Sequence, residues 1–203
     1  MGGDAPRQPG SPDPPAAVQA GEAREAVPDV ASLAARLQAT CLAAGVTVAV
    51  AESCTGGLVA AALTDPPGAS GYFRGGVVSY ANEAKRDVLG VDPEALAAHG
   101  AVSAQVARAM ALGARDRFEA TLAASVTGIA GPDGGTDAKP VGLTYAAVAD
   151  ASGVEVRRFV WSGNRAENRL DSVVAVLELL LERVDALATA DALATTDARS
   201  GAR

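Results

Sequence analysis

Histidine and cysteine are almost missing from this chain of 203 residues, which holds one histidine, His99, and two cysteines, Cys41 and Cys54. A lone histidine excludes a multi-histidine centre. Two isolated cysteines give neither zinc-ligand spacing nor a disulfide framework, so a reduced thiol pair is expected, with no metal and no cofactor. Basic residues are outnumbered, 17 against 24 acidic, for a net charge of -7. Such a surface repels nucleic acid and anionic membranes, which argues against both as partners without excluding a local basic pocket. No run approaches the roughly 20 apolar residues of a spanning helix. The N-terminus lacks the cationic start and apolar core of a signal peptide. Met1-Gly2 opens like a myristoylation site, but Pro6 stands where that signal requires Ser or Thr. The expected compartment is the cytoplasm.

What is present suits one α/β domain: 49% hydrophobic and only 20% charged residues. Residues 1–27 are rich in Gly, Pro and Ala and read as a disordered extension. The domain is expected over 28–185. Residues 186–203 form an Ala-rich tail, read as disordered or as a fraying prolongation of the last helix. In between, Val30, Leu33, Leu37 and Cys41 recur at helical spacing and Gly45 ends that helix. A strand from Val46 empties into Ser53-Cys54-Thr55-Gly56-Gly57, and Leu58–Leu63 reads as a helix. Gly76–Tyr80 is a second strand. Asn82 is expected to cap a helix closed by Gly90, Asp92-Pro93 starts another, and Ser103 caps a longer one to about Phe118. Leu122–Val126 is a third strand ending at Thr127. Val141–Val148 and Val154–Val160 read as an antiparallel hairpin before a final helix from about Ala166. This order predicts a three-layer α/β/α sandwich with a mixed, mainly parallel sheet and a late antiparallel hairpin.

Strand ends that run into glycine-rich turns are where open α/β sheets carry their sites. Ser53 stands in the first, at the mouth of a helix, where a hydroxyl is either a nucleophile or, more commonly, an N-cap. Lys85 lies one turn into a helix leaving the second strand. There a desolvated amine can act as base toward a serine, although a solvated surface lysine is the commoner fate. Thr127–Gly135 carries four glycines, a loop that either approaches a ligand closely or simply turns. Neither a Gly-Lys-Ser/Thr phosphate loop nor a Gly-x-Gly-x-x-Gly fingerprint is present. Arg165 and Arg169 share one face at a helix N-terminus, where cations oppose the macrodipole. A bound phosphate or carboxylate would resolve that opposition, and so would salt bridges to Glu167.

Five stretches occur in fixed order: Ala51–Gly57, Gly76–Lys85, His99–Ser103, Thr127–Gly135 and Lys139–Gly142. Together they resemble the C-terminal domain of the CinA (competence/damage-inducible) family, over about residues 29 to 184. Stand-alone members of that family are nicotinamide-nucleotide amidases. The resemblance implies a metal-independent amidohydrolase that deamidates nicotinamide mononucleotide. It implies Ser53 as nucleophile, Lys85 as base and Tyr80 in support. Glu52, Thr55, Gly56, Thr127, Gly128, Arg165 and Arg169 are the expected substrate-binding residues. The amides of Thr55 and Gly56 are expected to hold the oxyanion, and one of the two arginines the phosphate. A non-catalytic nucleotide-binding or regulatory module with the same pocket is the alternative. The expected partner is the small nucleotide substrate, and a homo-oligomer such as a dimer is left open.

Overall fold

Valine and alanine alternate through β1 (Val48–Glu52), and the alternation sorts them onto two cores. Val48 and Val50 face a large apolar cluster, while Ala49 and Ala51 face a second one built on smaller side chains. The computed structural model describes the backbone of residues 29–200 and the side chains of residues 29–190; the expected extension over 1–27 lies outside the described residues. β1 sits between β2 (Phe73–Val78) and β3 (Leu122–Gly128), parallel to both. β3 then pairs antiparallel with β4 (Leu143–Ala149), and β4 with β5 (Val154–Val160). The sheet order is β2-β1-β3-β4-β5, a mixed sheet whose antiparallel end is the expected hairpin.

Both faces are covered. α1 (Val30–Ala44), α2 (Leu58–Thr64) and α6 (Arg165–Ser200) pack on the valine side. α3 (Asn82–Leu89), α4 (Pro93–His99) and α5 (Ala104–Phe118) occupy the alanine side, where Ala107, Ala111 and Ala114 of α5 are fully buried. Small residues on both partners let α5 lie close to the sheet. Local signals set most boundaries: Gly45 and Gly90 close their helices in the left-handed conformation, and the side chains of Asp92 and Ser103 accept from Glu94 N and Val106 N. Among the described residues no helix is long and apolar enough to cross a membrane.

Several boundaries differ from expectation. β2 begins at Phe73, not Gly76, because Phe73 pairs with Val48 and Arg74 is accommodated in a bulge. It ends at Val78, so Tyr80 lies beyond the strand. Ala81, not Asn82, is the N-cap of α3, and no side chain caps that helix. β3 continues through Thr127 and Gly128 because both still pair with β4. α6 starts at Arg165 and runs on through the expected tail to Ser200.

Candidate active site

Three chain segments meet where β1, β2 and β3 end, and the first is the turn that follows β1. Glu52, 1% exposed, closes that strand and turns its carboxylate under the start of α2. The carboxylate accepts from Thr55 Oγ1 at 2.6 Å and from the amides of Gly57 at 2.9 Å, Val59 at 3.2 Å and Ala60 at 2.8 Å. One buried anion therefore satisfies the otherwise orphaned first-turn donors of α2 and neutralises its positive end. The turn itself needs glycine, with Gly56 at φ +63° and Gly57, the N-cap, at φ +100°. Because Glu52 caps α2, Ser53 does not, which removes the commoner of the two readings of its hydroxyl. Its hydroxyl is left free for another partner.

That partner is Lys85. Ser79 follows β2, fully buried, and donates its amide to Glu52 O at 2.8 Å, which ties the second segment to the first. The chain then reverses into α3, and Lys85 returns beneath it with only 1% of its surface exposed. Its Nζ lies 3.2 Å from Ser53 Oγ, 2.7 Å from Ser79 O and 3.2 Å from Tyr80 O. Burial lowers the lysine below its ordinary pKa by desolvating the ammonium; the nearby Cys54 acts in the opposite sense. A neutral amine fits this environment well. In that form two N–H groups would donate to the carbonyls, leaving the lone pair for the serine hydroxyl. Once protonated, the same nitrogen still finds three acceptors, so the arrangement can take a proton from Ser53 and hold it.

The thiol beside Ser53 has the opposite character. Cys54 is buried and desolvation pushes its pKa up to about 11, partly offset by the main-chain amides of Cys54 and Thr55. It is a neutral thiol at pH 7 and a poor nucleophile. Gly128, at the end of β3, makes room for it: a Cβ there would stand 3.1 Å from Cys54 Sγ and 2.6 Å from Thr144 Oγ1.

The third segment is the glycine-rich loop between β3 and β4, and α6 braces it. Asn164 Oδ1 accepts from the amides of Ala166 and Glu167, and Glu167 Oε2 accepts from Asn164 N at 2.8 Å, a reciprocal capping box. Glu167 is thus engaged in the cap, and the two arginines bond elsewhere. Arg165, exposed, donates to Gly131 O at 2.8 Å and to the Tyr80 hydroxyl at 3.3 Å. Arg169, half-buried one turn later, donates from Nε to Cys54 O at 3.2 Å and from Nη2 to Thr55 O at 2.7 Å.

Among the expected site residues, Ser53, Lys85, Thr55 and Gly56 share one cluster. Tyr80 contributes a carbonyl to Lys85, while its 61%-exposed ring and hydroxyl belong to the rim with Arg165. Glu52, expected on substrate, is turned to α2 instead, for the reason given above. The Gly56 amide, expected at an oxyanion, is already donated to Ser53 O at 3.1 Å. Thr127, expected at the start of the loop, lies within β3 and donates its hydroxyl to Ala101 O at 2.9 Å. Sequence reasoning missed Ser79, whose role is a carbonyl that no side chain announces. It also missed two braces. Lys139 Nζ reaches His99 O at 2.5 Å and Val102 O at 2.8 Å, and Asn168 Nδ2 reaches Ala130 O at 3.1 Å.

Comparison with known proteins follows the same outline. The CinA C-terminal domain profile matches residues 30–184. A CinA-like protein of Mycolicibacterium gilvum is 56% identical over 144 residues, covering 70% of this chain and 34% of the relative. A CinA-like protein of Geobacter sulfurreducens is 54% identical over 140 residues, covering 69% and 34%. The chain thus spans about a third of the length of the curated relatives it matches. Among solved structures, the competence/damage inducible protein CihA from Agrobacterium tumefaciens superposes with TM-score 0.75 at 44% identity, covering 78% of this chain and 98% of that one. A CinA superfamily protein from Klebsiella pneumoniae gives TM-score 0.75 at 33% identity, covering 77% and 98%.

Proposed function

This chain belongs to the CinA C-terminal domain family, and from that premise we propose that it is a Ser–Lys amidohydrolase converting nicotinamide mononucleotide to nicotinate mononucleotide and ammonia. The observation that carries the reading is the buried Lys85 Nζ, 3.2 Å from Ser53 Oγ and fixed by two carbonyls. A module that only binds a nucleotide has no need of a desolvated amine against a serine hydroxyl.

Neutral Lys85 takes the Ser53 proton as Oγ attacks the carboxamide carbon. The tetrahedral oxyanion is held by the Thr55 amide, since that of Gly56 is engaged with Ser53 O. As the C–N bond breaks, Lys85 returns the proton to the departing nitrogen, which leaves as ammonia. Water then attacks the acyl-enzyme as Lys85 accepts its proton. On collapse Lys85 passes that proton to the departing Ser53 Oγ, which restores the serine and the neutral amine. The product acid leaves as the carboxylate, with its own proton lost to solvent. Arg165, exposed at the rim beside Tyr80 and Gly131, is the cation for the substrate phosphate. Arg169 has its Nε and Nη2 donors on the nucleophile turn. An ammonia-release assay with nicotinamide mononucleotide tests the reading, with Ser53→Ala as the blank. Tight binding of the mononucleotide without ammonia release would favour the non-catalytic module.

A further inference from the structure

The buried carboxylate under α2 poses an electrostatic problem for any oxyanion formed at Ser53. In many strand-turn-helix sites the positive end of the helix supports the developing charge. Here Glu52 has taken the amides of Gly57, Val59 and Ala60 and placed a negative charge at that end. Support must come from the turn's own peptides, and the cation bonded to those peptides is Arg169.

Arg169 grips the oxygen ends of two successive peptide groups, Cys54–Thr55 and Thr55–Gly56. Neither is the cis bond found among the described residues, Gly131–Pro132. In a trans peptide the C=O and N–H point in opposite directions and polarise together. A guanidinium on Cys54 O therefore directs the Thr55 N–H away from α6 and strengthens it as a donor. The same grip on Thr55 O strengthens the Gly56 amide, which closes the turn onto Ser53 O. A Cβ at Gly56 would stand 3.4 Å from Arg169 Nη2, so the guanidinium is seated flush against the turn.

We propose that Arg169 is a positioning residue of the oxyanion site, aligning and polarising the Thr55 amide from behind, and that it does not bind the substrate phosphate. The proposal rests on Ser53 being the acylated nucleophile. It separates two arginines that sequence alone leaves equivalent: Arg165 acts on substrate binding and Arg169 on the chemical step.

The experiment compares Arg169→Gln and Arg169→Lys with the unaltered protein on two substrates, nicotinamide mononucleotide and its phosphate-free riboside. It also measures affinity for the mononucleotide aldehyde, which forms a hemiacetal oxyanion with Ser53, and for the carboxylate product. Arg169→Gln should lower kcat about 10- to 100-fold on both substrates, leave KM within about threefold, and weaken aldehyde binding by the same factor as kcat. Product affinity should hold. Arg169→Lys, which keeps the charge but loses the fork across two carbonyls, should fall in between. A rise in KM confined to the mononucleotide, with kcat and aldehyde affinity kept, would make Arg169 a phosphate ligand and overturn the proposal. Equal loss of aldehyde and product affinity would reduce it to a structural brace and overturn it too. If the unaltered protein neither releases ammonia nor binds the aldehyde more tightly than the product, the amidase reading itself fails.

Discussion

The Ser53 turn and the glycine-rich loop after β3 leave neighbouring parallel strands at the same edge of the sheet, yet they are held in opposite ways. The turn is fixed by charged side chains that converge on it, Glu52 on its amides and Arg169 on its carbonyls, and its residues 52–55 are buried. The loop is tied to the rest of the fold at its base and flanks. Gly142 N donates to Ile129 O, Asn168 and Arg165 hold Ala130 O and Gly131 O, and Lys139 reaches out to the His99–Val102 segment. Residues 132–138 are exposed. A reacting atom has to stand still, and displacement by an ångström is enough to cost two orders of magnitude in rate. A recognition surface tolerates adjustment. The difference predicts that changes at the turn act on turnover and changes on the loop side act on affinity.

The sharpest way to break that division is at the nucleophile. Ser53→Ala should remove deamidation altogether while leaving nucleotide affinity within about threefold, as an effect confined to the chemical step requires. Ammonia release and equilibrium binding measured on one preparation decide it, and residual turnover near that of the unaltered protein would end the Ser53 assignment.

Lys85→Arg comes next and should be nearly as damaging as Lys85→Ala, because a guanidinium keeps its proton at neutral pH. For the unaltered protein kcat/KM should rise with pH through the Lys85 pKa of the free enzyme and then level off. Burial places that midpoint below the ordinary lysine value. The sign for stability follows from the same shift. Between the lowered folded value and the ordinary unfolded one, the unfolded chain binds more protons, so Lys85 makes stability increase with pH across that window. Melting curves at several pH values should show this increment, and Lys85→Met should lack it.

On the recognition side, Arg165→Ala should raise KM for the mononucleotide by about one to two orders of magnitude, from loss of charge-assisted bonds of roughly 1.5–3 kcal/mol, with kcat nearly kept. The phosphate-free riboside should be insensitive to the change. Proportional loss on both substrates would move the phosphate to the glycine-rich loop.

Much of this arrangement is legible in the residues, and what is not has a common cause. The alternation of β1, the glycines at 45 and 90 and the caps at Asp92 and Ser103 are local signals, and the element order follows from them. The start of α6 is equally local, since Asn164 and Glu167 spell a capping box. Tertiary contacts are less visible. The Arg169–Cys54 bond spans 115 residues, and from sequence the two arginines differ in nothing that separates rim from turn. Glu52 looks like a polar neighbour of the nucleophile, and only the reversal of the chain into α2 reveals a cap. Ser79 works through its carbonyl, which every residue has.

The smallest effect concerns Cys54, which follows the nucleophile in sequence without sharing its function. Its thiol is held neutral by burial, with a pKa of about 11, so at pH 7 almost none of it is thiolate. Its sulfur fills the space that Gly128 leaves by lacking a side chain. Cys54→Ala therefore removes one buried atom from a packed wall and no reacting group. The expected cost is about 1 kcal/mol of stability, read from the melting temperature, with turnover within about threefold of the unaltered protein. The unaltered thiol should also resist alkylation in the folded state and react once the chain is unfolded. Loss of turnover as complete as in Ser53→Ala would transfer the nucleophile to the sulfur. A fall of a few fold in kcat would instead show that packing of Cys54 against the Gly128 backbone keeps the nucleophile turn in line.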